Sequence, residues 1–181
     1  MTPVDLLIAE HRLISRMSRQ LEIELRRIES NGEVDCAFIE EVADFFWTYT
    51  DRCHHGKEEN ILFAALVEKS LSRDHSATMS RLVEQHVEAR KLVGDLLLAK
   101  DSCGQGNRDT VGRAAELTRR LVEFHPAHMA LEENTFFPAS LGYLSRSEQA
   151  DMLRRFQEFD SRQIHIRYEL RAEEWEKGRG R

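Results

Sequence analysis

Residues 53–63 run CHHGKEENILF, and residues 128–138 run HMALEENTFFP. The two stretches match: KEENILFAA (57–65) aligns with LEENTFFPA (131–139). In each, a histidine stands four residues before a glutamate, His54 before Glu58 and His128 before Glu132. Side chains four apart on a helix lie on one face, one turn from each other. A further histidine stands upstream of each pair. His11 and His86 are 75 residues apart, while His54 and His128, like Glu58 and Glu132, are 74 apart. The chain therefore carries the pattern H…HxxxE twice. One helix pair used twice predicts two hairpins related by a pseudo-twofold axis, with two equivalent half-sites face to face.

Outward from these stretches the periodicity is helical. Thr2, Pro3 and Asp5 form a helix start, and Val4, Leu7, His11, Ile14, Ser18, Leu21, Leu25 and Ile28 follow at steps of three and four until Asn31-Gly32. A second helix, from Asp35 to about Leu71, is predicted to turn Ala43, Trp47, Thr50, His54, Glu58, Ile61 and Ala65 inward. A third starts near Asp74 or Ser76 and aligns Met79, Leu82, His86, Ala89, Val93 and Leu96. DSCGQGN (101–107) is a loop. A fourth starts near Asp109 and aligns Leu117, Leu121, Phe124 or His125, His128, Glu132 and Phe136, with a kink expected at Pro126. Ser145 and Glu148 make a capping box for a fifth helix over about 146–176, and KGRGR (177–181) is expected to be disordered. The fold class is all-α: an up-down-up-down four-helix bundle over 1–144, with 145–181 adding a C-terminal helix and a short basic tail to the same domain. That helix is expected to pack outside the bundle or to mediate a homodimer.

The 181 residues suffice for one domain, and a net charge of −6 argues against a nucleic-acid partner. No apolar run approaches a membrane span, and the first residues do not form a secretory signal. Three cysteines (Cys36, Cys53, Cys103) without CxxC spacing fit a reducing cytoplasm. Neither GxGxxG nor a P-loop is present, so nucleotide cofactors are not expected.

Four histidines and two glutamates facing one core call for a chemical reason. Four imidazolium ions crowded together repel, and an ionised glutamate is rarely buried unless paired or metal-bound. As metal ligands the histidines stay neutral and the carboxylates offset the cations. Two bridging carboxylates and two histidines apiece give each of two metals four ligands. An oxide or hydroxide bridge makes five and leaves one position open on an octahedral ion. Mixed imidazole and carboxylate ligation with an open position suits two iron ions; manganese or zinc fits less well. No glutamate precedes a histidine by three, so the ExxH pair of ferritin-type centres is missing.

AEHRL (9–13), CHHGKEENILF (53–63), EQHVEARKLV (84–93) and HMALEENTFFP (128–138) resemble the four signature helices of the hemerythrin-like, HHE cation-binding family. MLRRFQEFDSRQIHIRYE (152–169) resembles the C-terminal helix of some bacterial members. The resemblance implies His11, His54, Glu58, His86, His128 and Glu132 as metal ligands. Between neighbours it favours His54 over His55 and Glu58 over Glu59, leaving Glu59 and Glu133 to support the ligands from outside. Oxygen-carrying members use an HxxxH pair; here Arg90 stands four after His86. The set is closer to members with four histidines and two glutamates, some implicated in nitric-oxide or peroxide chemistry and in iron–sulfur cluster repair. Glu133, five after His128, is a spare bridge, and His125 is a candidate fifth histidine ligand or a supporting donor. His75, His165 and Cys53 are not counted as ligands. Phe45, Phe46, Trp47, Tyr49, Phe63, Phe124, Phe136 and Phe137 are core packing that would keep such a site dry. The implied function is a cytoplasmic di-iron protein that binds, senses or reacts with O2, NO or peroxide. An iron donor is the second reading, and a metal-free helical interaction module the third. Carrier, sensor and enzyme share such a centre.

Overall fold

The computed structural model describes residues 1–100, 108–160 and 162–179. These form six helices and no strand: α1 (Pro3–Asn31), α2 (36–67), α3 (Arg73–Lys100), α4 (108–141), α5 (Arg146–Phe159) and α6 (Arg162–Arg179). The expected loop 101–107, Cys103 and the last two residues lie outside the described residues. No helix among them is long and apolar enough to cross a membrane.

Local chemistry sets the ends. Thr2 and Asp5 exchange side-chain and backbone hydrogen bonds in a capping box at α1, and Gly32 ends that helix in the left-handed region (φ 72°). Asp35 accepts from the Phe38 amide to start α2. Ser145 and Glu148 make the second capping box, at α5. Helix α4 runs unbroken through Pro126.

The bundle core divides into two apolar clusters. One holds Leu13, Met17, Leu21, Phe45, Phe46, Leu96 and Leu121; the other holds Leu7, Ile61, Phe63, Leu82, Phe136 and Phe137. Along every bundle helix the inward histidines and glutamates fall between the two, as a polar layer.

Two of the helices are not uniformly α. Within α2, Phe46–His55 and Glu58–Phe63 are π-helical turns, and within α4 so is Glu132–Phe136. A turn closed by i→i+5 bonds takes more residues, so the inward face shifts along the chain. Trp47, predicted inward, is therefore 38% exposed, and Phe46 fills that place at 2%. The same widening turns both His54 and His55 into the core.

The C-terminal stretch is helical, as expected, but it turns a corner at Asp160, which is extended (φ −77°, ψ 132°). Met152 and Phe156 of α5 join one apolar cluster, and Tyr168 and Ala172 of α6 join the other. The two helices thus straddle the polar layer on the outside of the bundle. Lys177 and Gly178, assigned from the sequence to a disordered tail, continue α6, which is described to Arg179.

Candidate metal centre

The polar layer contains all six residues picked out by the repeat. His11 comes from α1, His54 and Glu58 from α2, His86 from α3, and His128 and Glu132 from α4; each is at most 2% exposed. Among the described residues of the layer, donor atoms gather in two groups, each within 4.8 Å: His11, His54, Glu58 and Glu132, and His55, Glu58, His86 and His128. Glu58 belongs to both. Its Oε1 lies 3.7 Å from His54 Nε2 and its Oε2 3.4 Å from His86 Nε2. Glu132 spans the layer the same way, with Oε2 3.2 Å from His11 Nε2 and Oε1 3.3 Å from His128 Nε2. Donors held about 2.1 Å from one ion at right angles sit about 3 Å apart, so these separations suit ligands converging on shared ions.

The outer nitrogens of the four repeat histidines are all engaged. His11 Nδ1 bonds Glu133 at 2.7 Å, His54 Nδ1 bonds Glu10 at 2.9 Å, His86 Nδ1 bonds Glu59 at 2.7 Å and His128 Nδ1 bonds Gln85 at 2.9 Å. A carboxylate or amide oxygen only accepts, so each Nδ1 carries the proton. In the neutral ring Nε2 is then a bare lone pair aimed at the layer, the arrangement second-sphere partners impose on metal-binding histidines. Aromatic rings close the sides: Phe137 stacks on His11, Phe63 on His86 and Phe124 on His128.

Without a cation the layer is poorly satisfied. Both oxygens of Glu58, both of Glu132, and Nε2 of His86 and His128 are buried and lack a hydrogen-bond partner. Such groups cost about 1–3 kcal/mol each. His11 and His54 point their Nε2 atoms at each other across 3.0 Å. Protons relieve the strain in part. Burial, and Glu132 beside it, push the Glu58 carboxyl well above its ordinary range. Burial opposes ionisation of Glu132 too, but His128, His11 and His86 hold it well below. Burial also works against charge on His11 and His86, yet Glu132 with Glu133 or Glu59 carries both upward. Burial, and His86 alongside, push His55 well below the usual histidine value.

His55 is the residue the sequence reading set aside. Its ring stacks on His86 with centroids 3.8 Å apart, and it supplies the third histidine of its group. Its counterpart in the repeat is Met129, so symmetry hides it; the doubled HH beside an HxxxE was the only signal. His125, the candidate fifth histidine, belongs to neither group. Its Nδ1 donates to the Leu121 carbonyl at 2.9 Å and its ring stacks on Phe46. Burial lowers its pKa to about 4. Glu133 serves His11 from outside rather than bridging. His75 pairs with Tyr143, and His165 with Asp160 and Tyr49, both away from the layer.

No curated protein and no solved structure shows a significant match to the chain. A family model does: the hemerythrin HHE cation binding domain, over residues 2–140. That span starts before His11 and ends after Glu132, so it takes in every member of the layer, and the chain belongs to the hemerythrin HHE cation-binding family.

Proposed function

We propose that the polar layer holds two iron ions and that the protein acts on a small ligand, O2, NO or peroxide, in the cytoplasm. Glu58 and Glu132 would hold both ions. His11 and His54 serve one; His86 and His128, with His55, serve the other. The observation that carries this reading is that each buried carboxylate offers one oxygen to each histidine group while lacking any hydrogen-bond partner. Imidazole and carboxylate donors without a thiolate favour iron over zinc. The free thiols Cys36 and Cys53 fit a reducing compartment.

Bound iron supplies redox chemistry and a coordination position open to the small ligand. The chain does the rest. Glu58 and Glu132 offset two of the positive charges of the ions, the neutral histidines offset none, and the carboxylates of Glu10, Glu59 and Glu133 behind them add further negative charge. Glu133, Glu10, Glu59 and Gln85 hold ring orientation and keep the lone pairs inward. Phe137, Phe63 and Phe124 keep water from the donors. The His11–His54 group has two histidines where the other has three, so the small ligand is assigned to that side.

The test is metal content per chain and the visible and near-ultraviolet spectrum of protein purified without chelators or nickel. About two irons with a ferric charge-transfer band support the reading. A chain that takes up none from anaerobic ferrous iron refutes it and turns attention to the metal-free interaction module. Given iron, the rate of reaction with NO or peroxide is compared with the rate of loss to a chelator. Fast loss with no ligand reaction would make the protein an iron donor.

A further inference from the structure

Lys57 is a charged side chain next to the layer that metal binding does not use. It is fully buried. Its ammonium bonds the Glu10 carboxylate and, at 2.6 Å, Asp160 Oδ1. The other Glu10 oxygen accepts from His54 Nδ1 at 2.9 Å. An unbroken chain of charged contacts therefore runs from Asp160 through Lys57 and Glu10 to His54. Asp160 is the corner between α5 and α6, at the height of the polar layer. It also accepts from Cys53 Sγ at 3.1 Å and faces His165 Nε2 at 3.3 Å. Glu10, Tyr49, Asp160 and His165 share one wall of a cleft of about 600 Å³. Close by, α5 meets the backbone of α2: a Cβ on Gly56 would stand 3.0 Å from the Phe159 ring.

The repeat shows what this chain adds. The counterpart of Glu10 is Gln85, which bonds His128 Nδ1, and the counterpart of Lys57 is Leu131. One half supports its histidine with a neutral amide beside a hydrocarbon. The other uses a carboxylate, a buried ammonium and an aspartate supplied by the C-terminal helices. A carboxylate accepting from Nδ1 makes the imidazole a stronger donor than an amide does. The ammonium shares that carboxylate, and Asp160 shares the ammonium.

We infer that Lys57 and Asp160 are positioning residues for His54, through which the C-terminal helices set the strength of one metal position and leave the other untouched. The inference rests on the metal reading above and concerns only the difference between the two positions. Without Asp160 the ammonium leans on Glu10 alone and draws it from His54.

The experiment uses full-length protein loaded with ⁵⁷Fe: wild type, Asp160→Asn, and the double variant Lys57→Leu with Glu10→Gln, which copies the other half. Mössbauer spectra and the kinetics of iron loss to a chelator are recorded. Lys57→Leu alone would leave the buried Glu10 carboxylate without its counter-charge and destabilise the fold, whereas the double variant removes both charges of that pair and leaves Asp160 to His165. Asp160→Asn is expected to speed one phase of iron loss about tenfold and to shift one Mössbauer doublet, the other staying in place. The double variant should hold both irons with that same doublet moved. Spectra and phases unchanged in both variants, or both irons shifted alike, overturn the inference while leaving the metal reading intact. A wild-type chain without iron overturns the metal reading itself.

Discussion

The two halves of this molecule share their donors and differ in what stands behind them. His54 and Glu58 in α2 repeat as His128 and Glu132 in α4, and the cross-helix supports repeat too: Glu133 serves His11 as Glu59 serves His86. Beyond these the halves part. His55 faces the layer where the other half has Met129. Arg90 binds the Glu59 that supports His86, while the equivalent position beside His11 is Ser15, and Glu133 is 38% exposed. A cleft of about 380 Å³ lined by Ser15 and Glu133 opens there. The repeat places a symmetric set of donor side chains in the layer, and the residues around them differ between the halves.

The sharpest break of the comparison lies in the bridging pair. In the presence of metal Glu58 and Glu132 should be equivalent: Glu58→Gln and Glu132→Gln are each expected to abolish binding of the second iron, read by metal content. In metal-free protein they should differ. Burial and the neighbouring Glu132 favour the neutral form of Glu58, so its amide replacement should change little, whereas His128, His11 and His86 outweigh burial at Glu132 and favour the ionised form. Replacing Glu132 should cost about 3 kcal/mol in chemical unfolding. Equal losses in the metal-free state would show that the halves are electrostatically alike.

Next in size is His55→Met, which copies the other half. Affinity at the His86–His128 position should fall at least about tenfold, because outer partners alone are worth that much. Two irons bound as tightly as in wild type would return His55 to the role of packing.

The repeat and its six donors were legible because they depend on local rules: the HxxxE spacing, apolar steps of three and four, and the caps at Thr2, Asp35 and Ser145. His55 and Phe46 were not, because an α-helical wheel assumes one pitch and the π turns of α2 change it. The supports were only partly visible. Glu59 and Glu133 lie beside ligands, but Glu10 and Gln85 reach histidines on other helices, which spacing along one helix does not reveal. Nor did any glycine or proline mark the corner at Asp160; it is held by Lys57, a contact across the fold.

A third difference concerns acid. His125 is buried in α4 with its pKa lowered to about 4, while its counterpart in the first half is Asp51, ion-paired with Arg90. The unfolded histidine titrates near 6.5, so between these values the unfolded chain binds more protons. This contribution is complete above about pH 6.5 and disappears as pH falls to about 4, about 3 kcal/mol in all. His128, lowered to about 3, adds a loss of the same sign. Metal-free His125→Phe, unfolded with urea from neutral pH to about 4, should show a flatter pH profile than wild type. An unchanged profile would mean that His125 does not contribute to the acid sensitivity of α4.

The smallest effect is expected at Arg90. Its guanidinium donates to Asp51 at 2.6 Å and to Glu59 at 2.7 Å, and the same Glu59 oxygen holds His86 Nδ1. Burial opposes ionisation of Glu59, but His86 and Arg90 hold its pKa below the ordinary carboxylate value. All three side chains outside the layer are partly exposed, so solvent screens them and the whole network is worth about 1 kcal/mol. Arg90→Ser, which copies Ser15, should lower the melting temperature by about 2–4 °C. It should leave metal content unchanged while leaving Glu59, like Glu133, without an arginine behind it. If the clamp is what separates the two supports, iron loss from the His86 side should then quicken toward that of the His11 side. A variant that melts lower but keeps the two release rates as far apart as before would confine Arg90 to stability, and would leave the inequality of the two positions to His55 and to the Glu10–Lys57 pair.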